Sequence, residues 1–355
     1  MEPILTDEQR LLQDSVARML SHAGGVKRTR GLRGRDGGFD AGMHARMGAE
    51  GWFGLLVPEA LGGSGLGLTE LAVVLMEAGR VLAPEPIGAT AVVARSIALG
   101  IGSTAHDALL AGVLEGRIVV VPAVAGDADA SGVTWQLPSK ETGVRLDGKV
   151  SGVAMSATCD GFLVATSDDM LAYVPRVTPG VTTTARATVD GRSLGDLALA
   201  DVAPELTLSM RNAGQELYDL LLFCAAAELV GVMGAALDIT VEYVKTRKQF
   251  GKPIGSFQAI QHRAVDDFAR LVSARSLLFQ VAAQGLPVAS QMASALKAHC
   301  GGMALEVTKS AIQMHGAIGF TEECDIGLYL KRAMWLSAWL GNERVHRRRY
   351  SALNS

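Results

Sequence analysis

VEYVKTRKQFGKPIGSFQAIQHR, residues 241–263, joins two helical runs through an unusual set of residues. An apolar helical run ends on Arg247-Lys248-Gln249-Phe250. Gly251-Lys252-Pro253-Ile254-Gly255 follows, and a new helix then starts with Gln258 and His262 on it. A helix-to-helix connection needs little more than a Gly and a polar residue or two. Read from the residues alone, the segment can be such a connection, with Arg247 and Lys248 favoured at the negative end of the preceding helix. A functional role for the same residues stays equally open.

Working outward, residues 205–247, 257–284, 288–315 and 325–352 each show a period near 3.6 and end near Gly or Pro. Four long helices with short connections predict a bundle. Residues 1–118 also read as helices with breaks. Thr6-Asp7-Glu8-Gln9 is a capping start, and Leu11, Leu12, Val16 and Leu20 share one face. Residues 24–38 read as an Arg-rich loop. GWFGLLVPEALGGSGLG (51–67) is a Gly- and Pro-rich break. Between the helical parts lie RIVVVPAV, GVRLDGKVSGVAM, GFLVATS and MLAYVPRV, short β-branched runs separated by Gly and Asp. They predict strands and turns to about residue 203. The expectation is a mostly α, α+β chain with an N-terminal helical domain (1–118), a middle β domain (119–203) and a C-terminal four-helix bundle (204–355).

With 355 residues, 49% hydrophobic, the chain can bury more than one core. The net charge of −3 gives no reason to expect nucleic acid or an anionic membrane as a partner. Abundant Ala and Gly with only 5% aromatics suggest closely packed helices. The four cysteines form no CxxC, and neither Cys nor His shows a metal-ligand spacing, so no metal is expected. The charged N-terminus lacks a signal-peptide core, which makes a cytoplasmic protein the expectation. His262, His299 and His315 read as structural or surface residues, and the run Arg347-Arg348-Arg349 as a solvated helix end.

The helix–β–helix order, GW-x-x-L-x-VPE-x-x-GG-x-G (51–65), YVKTRKQFGKPIGSFQ (243–258) and QMHGAIGFTEE (313–323) together resemble the acyl-CoA dehydrogenase family over essentially the whole chain. The resemblance implies FAD-dependent α,β-desaturation of an acyl-CoA thioester. A carboxylate would take the Cα proton and FAD the Cβ hydride, with an electron-transfer flavoprotein as acceptor. It also implies that the Arg-x-Gln-Phe-Gly turn reaches across an interface to the FAD of a neighbouring subunit. Arg247 would pair with the pyrophosphate, as a guanidinium fork matches phosphate oxygens. Gln249, Phe250 and Gln258 would line the same segment, and Gln313, Gly316 and Ala317 the adenine–ribose part. Ala317 stands where the family often has a second Gly.

Other family residues are absent. The catalytic carboxylate occurs at one of two positions, and these hold Leu340 (in Trp339-Leu340-Gly341-Asn342) and Leu221, 26 residues before Arg247. Neither accepts a proton. Leu222 replaces a neighbouring Arg, while Asp219 is retained. Glu343 is a candidate displaced base. Glu216 and Glu228 are expected on other faces of the Leu221 helix. The segments that in the family embrace the flavin ring read VPAVAGDADASG (121–132) and place Gly152 at a Trp and Ala154 at a hydroxyl. No Trp lies in 136–334. A ring finds no stacking surface on Gly and no hydrogen bond from Ala.

The chain thus keeps what reaches a neighbour's FAD and lacks what holds its own. This is similar to the non-base subunit of bacterial α2β2 members, often in steroid or lipid side-chain degradation, which share one FAD per heterodimer. Alternatives are a homo-oligomeric dehydrogenase using Glu343, a non-redox protein retaining the fold, or another flavin reaction such as oxidation or lyase-type elimination.

Overall fold

The computed structural model describes residues 5–34, 38–100, 104–124, 144–166 and 170–354. Helix α1 (Asp7–His22) starts on a full capping box: the Thr6 hydroxyl accepts from Gln9 N–H, and the Gln9 side chain accepts from Thr6 N–H. Next come α2 (Gly25–Leu32), α3 (Ala41–Ala49), α4 (Leu68–Arg80), α5 (Ile87–Leu99) and α6 (Thr104–Leu114). The α2 helix corrects the loop expected at 24–38. Gly and Arg spacing gives it no strong local signal, but tertiary bonds hold it. Arg28 forms a two-pronged bond to Glu85 (2.6 and 2.8 Å), Arg30 pairs with Asp325 at 2.6 Å, and the Thr29 hydroxyl donates to the Leu82 carbonyl at 3.2 Å.

Strands β1 (Val120–Ala123), β2 (Leu146–Ala154), β3 (Gly161–Ala165), β4 (Met170–Pro175), β5 (Val181–Ala187), β6 (Ser193–Val202) and β7 (Leu206–Ser209) form two sheets, β1-β3-β4-β7 and β2-β6-β5. All pairs are antiparallel except β1 with β3, where Val120 faces Gly161. The β7 strand corrects the helix start expected at 205. Its Leu-Thr-Leu-Ser alternation buries Leu208 opposite Leu171. In β2 the register slips between Ser151 and Val153, and Gly152 sits in that irregularity with φ +78°. A residue with a Cβ is strained there.

The chain turns helical again at α7 (Ala213–Thr246). A two-residue hairpin follows, β8 (Lys248–Gln249) with β9 (Lys252–Pro253), then α8 (Gln258–Gln284), α9 (Ser290–His315), α10 (Ile326–Ala338) and α11 (Glu343–Leu353). The fourth expected run is two helices, because Leu340 (φ +59°) and Gly341 (φ +104°) turn the backbone out of helical space. Asn342 caps the restart by accepting from Val345 N–H at 3.1 Å.

The α7 helix is 34 residues long and apolar enough to cross a membrane, but 89% of its most apolar window is buried inside the protein, so it is a core helix. The Ala and Gly content explains how neighbours approach it. A Cβ on Gly231 of α7 would lie 2.0 Å from the Met76 carbonyl oxygen, and one on Gly79 of α4 would lie 2.3 Å from that of Glu228. Side chains at either crossing point would push α4 and α7 apart.

Candidate active-site remnant and cofactor-reaching hairpin

Of the two positions expected to carry the base, Leu221 lies on α7 and Leu340 in the turn after α10, where its carbonyl accepts from Tyr218 of α7. Leu221, fully buried on α7, lines a cavity of about 50 Å³ with Ala154, Glu85, Glu228, Trp335 and Trp339. Sites that hold drug-sized ligands run to about 300–1,000 Å³, far larger than this space. Trp339 is one of its walls. It stacks on Trp335 with centroids 5.2 Å apart, and its Nε1–H donates to the Gly152 carbonyl at 3.3 Å. The Arg192 guanidinium lies 3.9 Å from the Trp335 ring centre on the other side. The turn carrying Leu340 therefore adjoins a residue bonded to Gly152, the strand residue expected to stand where the family has its ring-stacking Trp.

The Leu340 turn is clamped from three helices. The Tyr218 hydroxyl donates to the Leu340 carbonyl at 2.6 Å, and His346 Nε2 lies 3.0 Å from the same oxygen. Lys297, 1% exposed on α9, donates to the carbonyls of Ser337 (3.1 Å) and Gly341 (2.9 Å). The Ser337 carbonyl is one that the end of α10 leaves without a helical partner, and that of Gly341 belongs to the turn before α11. Burial pulls the Lys297 amine down to about 7. Its unfolded value is about 10.4. Between the two, the unfolded chain binds a proton that the folded chain does not, so this group makes stability rise with pH. Urea unfolding of wild type and Lys297→Met at pH about 6.5 and about 8 checks this, below the titration of unfolded thiols. Wild type gains stability relative to the variant on going up; a constant difference contradicts the assignment.

Each carboxylate near Leu221 has an arginine partner. Glu228 corrects its expected placement: it lies seven residues from Leu221, two helical turns on, and lines the same cavity. It pairs with Arg332, which also sits 2.8 Å from Asp190 and donates to the carbonyls of Leu82 and Ala83. Arg192 joins this buried cluster 3.0 Å from Asp190. Burial alone would raise the Asp190 carboxyl, but the two guanidiniums bring it down to about 2. Glu216 pairs with Arg95 at 2.9 Å. Asp219, 2% exposed, accepts from Arg349 at 2.6 Å and from Gln215 at 2.8 Å. This corrects the solvated role expected of Arg349. Glu343 is not brought together with Leu221. It pairs with Arg347 at 2.6 Å and lines a separate open groove with Gly302 and Arg344.

The residues expected to reach a neighbour's cofactor share one exposed edge. Phe250 (φ +52°) and Gly251 (φ +80°) form the two-residue loop of the β8–β9 hairpin. Such loops favour Asn-Gly, and a Phe with positive φ is strained. Its ring is 91% exposed, so the strain secures no burial within this chain. Arg247, the C-cap residue of α7, is exposed, and its side chain has no hydrogen-bond or ion-pair partner among the described residues. Gln249 is exposed and donates to the Lys248 carbonyl. Tyr243, one helical turn before Arg247, stacks on His315 at 4.3 Å and donates to its carbonyl. This ties the hairpin to the end of α9, where Gln313, Gly316 and Ala317 are exposed. Gln258 is exposed at the start of α8.

This geometry can be set beside known proteins. The chain matches the acyl-CoA dehydrogenase N-terminal domain family over residues 6–114 and the C-terminal domain family over residues 223–352. It is 31% identical over 354 residues to the acyl-CoA dehydrogenase IpdE2 of Mycolicibacterium smegmatis, covering 98% of this chain and 99% of that one. The chain belongs to the acyl-CoA dehydrogenase family. Among solved structures it resembles a variant of the Tcur3481-Tcur3483 steroid ACAD (30% identity, TM-score 0.89, 98% of each chain). It also resembles the ChsE4-ChsE5 complex from Mycobacterium tuberculosis (26% identity, TM-score 0.88, 99% of this chain and 98% of that one). The fold expected from the sequence is that of the family.

Of the ring-embracing segment expected at 121–132, only 121–124 are described. They end β1, and 125–132 lie outside the described residues. The motif reading missed the Trp339–Gly152 contact, Lys297 and the Arg332 cluster. The i, i+4 pair Trp335 and Trp339 and the i, i+7 pair Leu221 and Glu228 were their visible signals.

Proposed function

We propose that this chain is the subunit of a two-chain acyl-CoA dehydrogenase that completes its partner's FAD site and does no desaturation at its own. The observation that carries the reading is the 3.3 Å bond between Trp339 and the Gly152 carbonyl. By resemblance to the family, the flavin ring lies between the strand of Gly152 and the turn of Leu340. A ring held between two surfaces needs a van der Waals contact of about 3.5–4 Å on each face. The closed slot does not fit the ring. The hairpin edge does fit the other end of FAD: Arg247 has free donors for the pyrophosphate, and Gln249, Phe250, Gln258, Gln313, Gly316 and Ala317 line the approach for adenine and ribose.

Bound in the partner, FAD supplies the hydride acceptor for Cα–Cβ desaturation, and the partner supplies the base. This chain's part is to hold the nucleotide end and to keep its own slot shut. The names of its relatives, among them a steroid ACAD and a two-chain complex, support a bulky steroid or lipid acyl-CoA as substrate. An electron-transfer flavoprotein is the acceptor by family likeness.

The test is turnover by the complex of this chain with a co-expressed flavin-bearing dehydrogenase chain, using an acyl-CoA and an artificial electron acceptor. Glu343→Gln in this chain leaves turnover unchanged. A loss of two orders of magnitude or more, the range expected on losing a general base (about 10²–10⁴-fold), would return the chemistry to this chain.

A further inference from the structure

The edge proposed above to hold the nucleotide end of FAD is made of two pieces. Arg247, Gln249 and Phe250 follow α7, whereas Gln313, Gly316 and Ala317 lie far along the chain at the end of α9. Each piece is formed by its own backbone bonds. The Ile254 N–H donates to the Arg247 carbonyl at 2.8 Å and closes the base of the hairpin. The Gly316 N–H donates to the carbonyls of Gln313 and Ile312 and ends α9. Neither set fixes one piece relative to the other. Tyr243 does. Its carbonyl accepts from the Arg247 N–H at 2.8 Å, and its hydroxyl donates to the His315 carbonyl at 3.2 Å. That carbonyl is among the last four of α9, which no later turn of the helix satisfies. The Tyr243 ring lies on the His315 imidazole with planes 19° apart. His315 is 5% exposed and its Nδ1 is 2.8 Å from the Ala311 carbonyl, so the imidazole is a fixed platform. Among the described residues, the side-chain hydrogen bonds joining α7 to α9 are this one and that of Ser290 to Asp219 at the opposite end of both helices.

We propose that Tyr243 is a positioning residue for the flavin nucleotide, a proposal that rests on the function proposed above. Stacked on His315, it sets the spacing between Arg247 and the turn of Gln313, Gly316 and Ala317, so that one nucleotide meets both pieces at once. A ligand held at two points gains from the second only where the spacing matches it. The brace sets that spacing before the ligand arrives, which lowers the ordering cost of binding. The far side of the α9 turn is anchored separately, by Arg30 of α2 on Asp325 at 2.6 Å. Removing the Tyr243 side chain therefore leaves both pieces folded and loosens the relation between them.

The experiment measures FAD retention, by flavin fluorescence on dilution, in the complex of this chain with a co-expressed flavin-bearing dehydrogenase chain. Tyr243→Phe keeps the stack and loses the hydroxyl. It weakens retention about 2- to 10-fold, the worth of one neutral hydrogen bond. Tyr243→Ala loses both contacts and weakens retention further. The double variant Tyr243→Ala/Arg247→Ala retains FAD no worse than Arg247→Ala alone, because without Arg247 there is no second point left to space. Losses that add in the double variant mean that Tyr243 serves only the fold, and they overturn the proposal. So does wild-type retention by Tyr243→Ala. Should the alanine variant misfold, the same cycle built on Tyr243→Phe decides the matter with a change of one oxygen. Undiminished retention by Arg247→Ala sinks the underlying reading instead, whatever Tyr243 does. A wild-type pair that fails to associate, or that holds no FAD, overturns both.

Discussion

Arg332→Met destabilises the chain by about 3–5 kcal/mol, the penalty for leaving buried charges without their partner. Arg332 is 1% exposed and bridges Asp190 of the β6 approach, Glu228 of α7 and the carbonyls of Leu82 and Ala83 after α4. It thus ties three parts of the molecule at one point. Removing it leaves two carboxylates to share Arg192, whose second amino group lies 3.8 Å from Glu228. Denaturant unfolding measures the loss. Adding Glu228→Gln and Asp190→Asn recovers part of it, because the cost comes from uncompensated charge and not from the Arg side chain as such. If the triple variant is as unstable as the sum of its parts, the cluster is not acting as one electrostatic unit.

Arg247→Ala weakens retention of FAD by the two-chain complex about 10–150-fold, which corresponds to the roughly 1.5–3 kcal/mol of a hydrogen bond to a charged group. The folded stability of the chain is unaffected, because Arg247 is exposed and makes no side-chain hydrogen bond or ion pair among the described residues. Arg247→Lys recovers only part of the affinity, since an ammonium lacks the planar fork that meets two phosphate oxygens together. Flavin fluorescence on dilution of the complex reads both changes. An alanine variant that holds flavin as tightly as wild type confines Arg247 to compensating the end of α7.

The sequence carried the fold because its signals are local. Apolar spacing marked the long helices, Thr6 and Gln9 marked a helix start, and β-branched runs marked the strands. What it did not show depends on tertiary partners. The α2 helix is held by Glu85 and Asp325, which lie 57 and 295 residues from the arginines they bind. The break in the fourth bundle run rests on the positive φ of Leu340, a conformation that no leucine advertises. At the site, residue identity alone put Leu at both expected base positions. The closure of the slot was not legible, since it needs Trp339 on α10's end and Gly152 in β2 to meet across 187 residues. The φ of +78° at Gly152 disfavours any residue with a Cβ, the Trp expected there from the family resemblance included.

A chain that helps bind a flavin it does not itself hold has a simple signature in the visible absorption spectrum. The purified chain alone should be colourless. Co-purified with its flavin-bearing partner, the complex should show flavin bands at half the molar amount of protein chains. Stoichiometric flavin on the isolated chain would contradict the account: the slot between Gly152 and Trp339 would then open to take the ring.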